Sequence, residues 1–449
     1  MKYKTLIRRN SFLLSLLCAV VWLTGCVQDE FNTALPTSVD ATRFALTVSD
    51  VNIPSVSSRT MSGTGTDNKE DEVKTVDILV FDNSKSPAVF LEWSQGKNIT
   101  QDLANNTSTV EFEVVLSPTL VSTRIVVVAN RQLNSIVSGF IKGTTTKAEV
   151  MAELTHSLTD KWPADGSTAD GYTPIPMYGE KVVAKLDHSS INPISGISMK
   201  RMLARIDVRN STSNFKVEEV YLANYNTKGY LAPLWDANGE LNTSTPDALN
   251  IPGDSGKKKE ESDALSYPVN GSKIYDGEIY TFEAAAAVDA GGVAEDNDVS
   301  RKEAVCLIVK GKIDNGPSTF YRIDFTQTGQ KGEQVGYLPL KRNHKYIISI
   351  TEALGAGNAS LGEALASYTV MSNLKFRVIH YDRDKVKDVV YNGQYMLGVG
   401  EPEIKVTQYQ NNSYAVDIFT DTPGGWKATV TEGDWLKSVS YTHLTLPTT

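Results

Sequence analysis

Short runs of β-branched residues, each cut off from the next by turn-forming residues, recur along the whole chain and restrict it to β architecture. Val76-Asp77-Ile78-Leu79-Val80-Phe81, Thr109 to Leu116 and Arg124-Ile125-Val126-Val127-Val128-Ala129 are clear cases. The second alternates with period two, as a half-buried strand does, while the others are almost continuously apolar, as sandwich-core strands are. Clusters of Asn, Gly, Pro and Ser separate the runs, residue types that favour turns for defined backbone reasons. Helical periodicity is confined to Lys147 to Leu158, carried by Ala148, Met151, Ala152, Leu154 and Leu158, and to a short stretch from Leu361 to Ala366. The pattern predicts an all-β fold of tandem sandwiches with few short helices. A hydrophobic content of 41% over 449 residues is enough for packed cores.

The N-terminus carries a different signal. Lys2, Lys4, Arg8 and Arg9 precede an apolar run from Phe12 to Leu23, too short to span a ~30 Å hydrocarbon layer. This is the layout of a secretory signal peptide. The run ends Leu23-Thr24-Gly25-Cys26, which resembles the bacterial lipobox. That resemblance implies cleavage before Cys26, diacylation of its thiol and acylation of its new amine, and three acyl chains anchor firmly where one binds reversibly. Gln28, Asp29 and Glu30 follow, with no Asp at position two to retain the protein in the inner membrane. They resemble the acidic surface-export signal of some Gram-negative lipoproteins, so the expected location is the outer face of the outer membrane.

Cysteine usage and charge narrow the function classes. Cys18 leaves with the signal peptide and Cys26 takes lipid, so Cys306 has no partner for an internal disulfide or a thiolate zinc cluster. Its setting, Ala304-Val305-Cys306-Leu307-Ile308-Val309, reads as a small buried hydrophobe. The formal charge of −9 becomes −13 once the four basic residues of the signal peptide are gone. Such an acidic chain is a poor nucleic-acid binder.

The organisation predicted along the chain begins with a signal peptide over 1–25. Residues 26–72 hold the anchor, a strand over Arg43 to Val48, and a Ser-, Thr-, Gly- and charge-rich linker, Ser57 to Glu72, expected to be exposed. Sandwiches follow over 73–214 and 215–360, then a partial module over 374–440. In that module Asp421-Thr422-Pro423-Gly424-Gly425-Trp426 and Asp434-Trp435-Leu436 resemble BACON-type immunoglobulin-like modules. The tail 441–449 breaks the pattern and looks non-native.

No enzymatic constellation is visible, and no cofactor or metal is expected. The histidines occur singly without His-Glu-x-x-His spacing, and no Gly-x-Ser-x-Gly elbow occurs. Gly355-Ala356-Gly357 reads as a turn, and Asp296-Asn297-Asp298 as a solvated loop in preference to a calcium site. What remains is an ordered string of landmarks. Val76 to Phe81 is followed by Ile125 to Asn130, Ile175-Pro176-Met177-Tyr178-Gly179-Glu180, Lys200 to Val208 and Val220-Tyr221-Leu222-Ala223-Asn224. Tyr321 to Phe325 and Leu338 to Ile347, which includes Arg342-Asn343-His344, complete it. Arg201, Arg205 and Arg209 stand beside apolar strand positions as structural cations, and Asn343 belongs to a turn before a strand.

In this order the landmarks resemble the fimbrillin family of type V pilus subunits. The resemblance implies two transthyretin-like sandwiches and assembly by strand exchange. An arginine-specific surface protease cuts the N-terminal linker, the first strand leaves with its lipid, and a neighbouring subunit fills the groove. Arg59, in Ser57-Ser58-Arg59-Thr60, matches the cut best and would expose Thr60; Arg43 fits less well because it begins the strand itself. The implied partners are other fimbrial subunits, that protease, the outer membrane through the lipid, and a host or glycan receptor. Continuation of the chain past Lys375 departs from compact shaft subunits and points to an accessory or tip role. A second reading is a lipid-anchored glycan-binding protein that stays monomeric, with Trp93, Trp162, Trp235, Trp426 or Trp435 stacking on sugars, although core packing is the commoner fate of tryptophan.

Overall fold

The computed structural model describes residues 41–48, 70–101, 109–163, 173–186, 194–269, 274–287, 299–328, 334–367, 373–383, 385–386, 388–391, 396–400, 416–420 and 426–427. The chain divides into compact units of residues 1–41 and 42–449. Apart from Ala41, at the head of the first strand, the described residues belong to the second unit.

Its first body is an eight-stranded sheet in the order β3-β2-β6-β8-β9-β1-β5-β4. The strands are β1 (Ala41–Val48), β2 (Val76–Asp82), β3 (Val89–Gln95), β4 (Lys97–Gln101), β5 (Thr109–Val115), β6 (Thr123–Ala129), β8 (Met177–Val183) and β9 (Ile194–Arg201). The sheet folds over on itself. Ile78 and Val80 of β2 and Ile125 and Val127 of β6 share one core with Val110, Phe112 and Val114 of β5 and with Ile197 and Met199 of β9. The corner between β3 and β4 is Gly96, where a Cβ would lie 2.9 Å from Phe112 and 3.0 Å from Val76. The opposite face of β2 and β6, with Leu79, Phe81, Val126 and Val128, is covered by a second core that includes Met151, Trp162, Leu231 and Phe282. Burial on both faces is why these two strands read as continuous apolar runs.

Helix α1 (Lys147–Glu153) lies over that second core. Thr146 caps it, and the Glu149 carboxylate accepts from the Thr146 backbone N–H at 2.7 Å, a reciprocal capping box. The helix is shorter than the periodicity to Leu158 predicts, because β7 (Thr155–Ser157) leaves it to pair with β12 (Lys228–Tyr230).

The second body is a sandwich. One sheet runs β14-β10-β19-β20 and the other β13-β11-β15-β16. Its strands are β10 (Ala204–Asn210), β11 (Phe215–Ala223), β13 (Leu265–Pro268), β14 (Ile274–Thr281), β15 (Cys306–Ile313), β16 (Thr319–Asp324), β19 (His344–Ala353) and β20 (Leu374–Asp382). Ile206, Val208, Ile348 and Ile350 of one sheet meet Val220, Leu222, Leu307, Val309 and Ile323 of the other in one core. Short elements border it: α2 (Val299–Glu303), the hairpin of β17 (Thr326–Thr328) and β18 (Gln334–Tyr337), and α3 (Leu361–Ala366). Beyond it lies a small sheet of β21 (Asp388–Tyr391), β22 (Met396–Val399) and β23 (Ile418–Thr420), whose Phe419 packs with Ile347, Ile379, Tyr381 and Val386.

The all-β class with few short helices is what the sequence predicts. Two strands, however, join a different body from the one the sequence suggests. β10, read as the end of the first sandwich, pairs in parallel with β19 and antiparallel with β14. β20, read as the head of the C-terminal module, pairs along β19 from His344↔Asp382 to Ala353↔Leu374. Both pairings are non-local, and local periodicity carries no information about them.

Three landmark asparagines mark the ends or beginnings of strands and share one device. Asn130, Asn224 and Asn343 have φ of 58°, 59° and 58°, a left-handed backbone that Asn accepts better than most residues. Each side chain then bonds a distant segment: Asn130 to the Glu72 and Ile175 carbonyls, Asn224 to the Lys302 and Ala304 carbonyls, and Asn343 to Arg201 and Asp382.

Close approach of β8 to β9 gives the first prediction. A Cβ at Gly179 would lie 2.5 Å from the Ser198 carbonyl oxygen and 2.6 Å from the Met199 sulfur. Gly179→Ala is expected to destabilise the chain by about 1–3 kcal/mol through overpacking. A thermal unfolding midpoint unchanged from wild type would show that β8 and β9 are not this close.

Candidate functional site: the strand slot and its charged clasp

The first strand in sequence is not at the edge of its sheet. β1 lies between β9 and β5 and runs parallel to β9, with Phe44 beside Ile194, Leu46 beside Ile197 and Val48 beside Met199. Neither neighbour is joined to it by a hairpin, because both lie far along the chain. Its pairing is entirely with strands far along the chain. Without it β5 and β9 would each present an unpaired edge, and such edges recruit other strands. The walls on either side are apolar within and polar without. Val110, Phe112 and Val114 alternate with Thr109, Glu111 and Glu113 on β5, while Ile197 and Met199 alternate with Ser198 and Lys200 on β9.

The β9 wall carries a bulge. Two steps along β1, from Phe44 to Leu46, match three along β9, from Ile194 to Ile197. Gly196 absorbs the extra residue at φ +70°, where a side chain would be strained, and the Ser195 carbonyl accepts from Lys181 of β8. A strict period of two would put Ile194 and Ile197 on opposite faces. The bulge turns both toward the same core.

Pairing also fixes which way β1 runs. Met177 lies opposite Arg201 and Thr123 opposite Val183, so Ile194 is at the end of the sheet where β6 begins. The N-terminal end of β1 is therefore at this outer pole, beside the turn 117–122 that bridges to Leu186. Its C-terminal end, beside Met199, is at the opposite, inner pole, where Val76 meets Ala129 and the described chain resumes at Glu70.

Glu70 and Asp71 belong to a cluster of buried charges. Glu70 has no exposed surface and Asp71 only 2%, although the composition of Ser57 to Glu72 predicts an exposed linker. The linker ends earlier than that prediction because arginines neutralise both acids. Glu70 accepts from Arg205 Nη1 at 2.7 Å, from Arg383 and from the Tyr280 hydroxyl, and Asp71 pairs with Arg201. Arg205 also holds Asp207, which Lys345 reaches at 2.8 Å, and Arg201 Nη1 donates to Asn343 at 2.9 Å. One clasp thus joins the linker's end to the first body through Arg201, to the second through Arg205, and to the segment after β20 through Arg383. Arg201, Arg205 and Arg209 are indeed buried, but the basic character of Arg201 and Arg205 does not reveal Asp71 and Glu70, more than a hundred positions away.

The remaining sites predicted from sequence divide into two groups. Cys26, Gln28, Asp29, Glu30, Arg59 and Thr60 lie outside the described residues, as do Asp296 to Asp298 and Trp435. Cys306 is buried, and burial pushes its thiol up to about 11, which suits an inert core residue. Among the described residues no group of His, Cys, Asp and Glu could hold a metal, and no helix is long and apolar enough to cross a membrane. Three of the described tryptophans are engaged within the fold. Trp162 is buried and donates to the Thr173 carbonyl, Trp93 donates to Asp77 at 2.7 Å, and Trp235 stands edge-on to Tyr230.

Two predictions test this geometry. Glu70→Gln leaves Arg205 and Arg383 buried with one carboxylate fewer, which should cost about 3–5 kcal/mol in chemical denaturation. An unchanged denaturation midpoint would mean that the clasp is open to water. The second concerns His156, which stands beside Trp162 and whose imidazole is lowered to about 4, chiefly by burial and then by Arg131. It is neutral in the fold. Its contribution is complete above the ordinary value of about 6.5 and is lost as pH falls from there toward 4. His156→Phe should flatten the stability profile over that window, and an identical slope in wild type and variant would contradict this.

Comparison with known proteins adds the family. Residues 37–291, a span that includes β1 and the clasp's acids, match the family described as fimbrillin-A associated anchor proteins Mfa1 and Mfa2. Similar solved structures include the tip fimbrial protein Mfa3 of Porphyromonas gingivalis, 15% identical, with a TM-score of 0.43 over 76% of this chain and 99% of that one. Two proteins provisionally assigned to cell adhesion are also similar. One, from Parabacteroides distasonis ATCC 8503, is 17% identical, with a TM-score of 0.42 over 76% and 99% of the two chains. The other, from Bacteroides eggerthii DSM 20697, is 16% identical, with a TM-score of 0.41 over 76% and 96%. No curated protein matches the chain. With more than half its length matched, the chain belongs to the family of fimbrillin-A associated anchor proteins Mfa1 and Mfa2.

Proposed function

We propose that the chain is exported as a lipoprotein anchored through Cys26, and that it joins a fimbria by exchanging its first strand after a cut at Arg59. Family membership supports a fimbrial or adhesive role at the cell surface, and a structural part in place of catalysis is the reading that fits it. One observation carries the finer reading: the strand nearest the N-terminus lies inside the sheet, held by non-local neighbours, with Arg59 between it and the clasp.

A cut after Arg59 separates β1 from every later strand while the clasp still fixes the chain at Glu70. β1 can then leave with its lipid without unravelling β2. The slot it leaves has unpaired main chain on β5 and β9 and apolar positions between them, which an extended segment of a neighbour satisfies by β-augmentation. Because donor and acceptor are different surfaces, the contact is head-to-tail and need not close, so a filament can grow. Gln28, Asp29 and Glu30 direct export to the surface, where an arginine-specific protease acts. The strands β21 to β23 beyond the second sandwich suit an accessory or tip subunit carrying a receptor-binding part better than a plain shaft subunit. Trp93, Trp162 and Trp235, engaged within the fold, lend the glycan-binding alternative no support.

The test is light digestion of residues 27–440 with an arginine-specific protease, followed by N-terminal sequencing, unboiled gels and electron microscopy. A single cut exposing Thr60, followed by a heat-sensitive ladder or filaments, is the expected outcome. A resistant linker, or a cut chain that stays monomeric, would overturn the exchange mechanism and leave a fixed anchor or cap.

A further inference from the structure

Arginine and lysine are divided between the inside and the outside of the fold. Ten arginines follow Glu70, from Arg124 to Arg383, and all ten are among the described residues. None is exposed: seven are buried, and Arg124, Arg131 and Arg377 are half-buried. Every exposed Lys or Arg among the described residues is a lysine, with Lys74, Lys97, Lys142, Lys216, Lys259 and Lys375 spread along the chain. The stretches after Glu70 that lie outside the described residues hold lysines, such as Lys273 and Lys331, but no arginine.

Hydrogen-bond geometry explains the buried half of this division. A planar guanidinium with five donors holds a carboxylate and several carbonyls at once, which an ammonium does less well. Arg322 spans Asp324 and the Leu365 and Arg301 carbonyls, and Arg342 spans Glu283 and the Tyr230 and Leu231 carbonyls. The exposed half has no such cause. On a solvated surface either cation supplies the same charge, and an isolated surface ion pair contributes little with either. Packing therefore gives no reason to keep arginine off the surface.

An endoprotease that cuts after arginine does supply a reason. It needs a segment of unpaired, extended main chain whose arginine is free to enter a pocket, and exposed loop tips offer this best. Arg124, Arg205 and Arg209 have a paired strand on either side, and Arg201, Arg322 and Arg377 also lie in paired strands. Arg301 is bound to Asp324, and Arg383 to Glu70. Arg131, in the loop after β6, is where a first breach is expected. Lysine stands instead at loop tips: Ile141, Lys142, Gly143 and Thr144 are consecutively exposed, as are Lys259 to Ser262. We propose that this division guards the subunit against an arginine-specific protease and confines its cut to the segment between Cys26 and Glu70, where Arg43 and Arg59 are the two arginines. The proposal rests on the processing reading above. It adds that the specificity of the protease for arginine over lysine is matched by the choice of cation across the whole surface, so that the enzyme opens the strand slot without destroying the body that carries it.

The test digests the full mature chain, native or unfolded in urea, with an arginine-specific and with a lysine-specific endoprotease, and identifies every product end by mass spectrometry. The arginine-specific enzyme is expected to cut the native chain after Arg59. At the arginines from Arg124 onward its cutting should be at least about a hundredfold slower than in the unfolded chain, because it waits on opening of the fold. The lysine-specific enzyme should cut the native body at Lys142 or Lys259. The charge-conserving variants Lys142→Arg and Lys259→Arg should hand those cuts to the arginine-specific enzyme without moving the thermal midpoint. Rapid cutting of the native wild-type body at any of the ten arginines would overturn the proposal and leave processing at Arg59 standing. Resistance of both variants to the arginine-specific enzyme would overturn it too, because the choice of cation would then protect nothing. A native chain that also resists at Arg43 and Arg59 would remove the processing reading and this proposal with it.

Discussion

Burial of the Glu70 carboxylate away from water is tolerable only because Arg205, Arg383 and Tyr280 converge on it from three separate segments. Stripping an ion of solvent costs several kcal/mol, and the pairing regained inside the protein offsets this only when the partners are all in place. The clasp therefore contributes little net stability relative to a well-packed apolar cluster. Its effect is to penalise every arrangement in which one partner is missing. The first body supplies Arg201, the second Arg205, and the segment after β20 Arg383, so a chain that has docked only two of them carries an unpaired buried charge. One relative arrangement of the three segments satisfies the charges, and the end of the linker is fixed by the same requirement.

β1 is held by different physics. It has main-chain pairing and an apolar setting but no hairpin to either neighbour, and the bulge at Gly196 interrupts its ladder with β9. Parallel pairing without a local connection is also slightly weaker per residue than antiparallel pairing. The two sides of the linker are therefore unequal. One is tied by neutralised charges that hold as long as the two bodies stay docked. The other is tied by pairing that another strand of similar pattern can supply. Separation of the chain between them divides it at its natural boundary, and this asymmetry makes strand exchange a coherent reading of the fold.

Much of the sheet content was legible in the residues. The double-sided burial of β2 and β6 is written in their continuous apolar runs, and the one-sided burial of β5 in its alternation. The landmark asparagines were visible as residues but not as a shared device. Their left-handed backbone can be anticipated from residue type, whereas their bonds to Glu72, Lys302 and Arg201 cannot, because those partners are set by tertiary packing. The same limit hid the clasp. Glu70 and Asp71 sit at the end of a polar, charged stretch, and composition assigns such residues to solvent. Only the arrival of distant arginines reverses that assignment.

The bulge on β9 is a case where the signal was present and local. Ile194, Ile197 and Met199 are spaced by three and then two, which no regular strand can place on one face. A glycine between the first two is the residue that lets a strand take up one extra position. Read together, the broken period and the glycine locate a kink in a strand without any knowledge of its partners. The spacing cannot say which strand lies beside that kink. The answer, the first strand of the chain lying parallel to one of the last strands of the same sheet, depends on the order in which the sheet is assembled. For that reason the slot is a property of topology, and its apolar walls are as ordinary in sequence as those of any sandwich core.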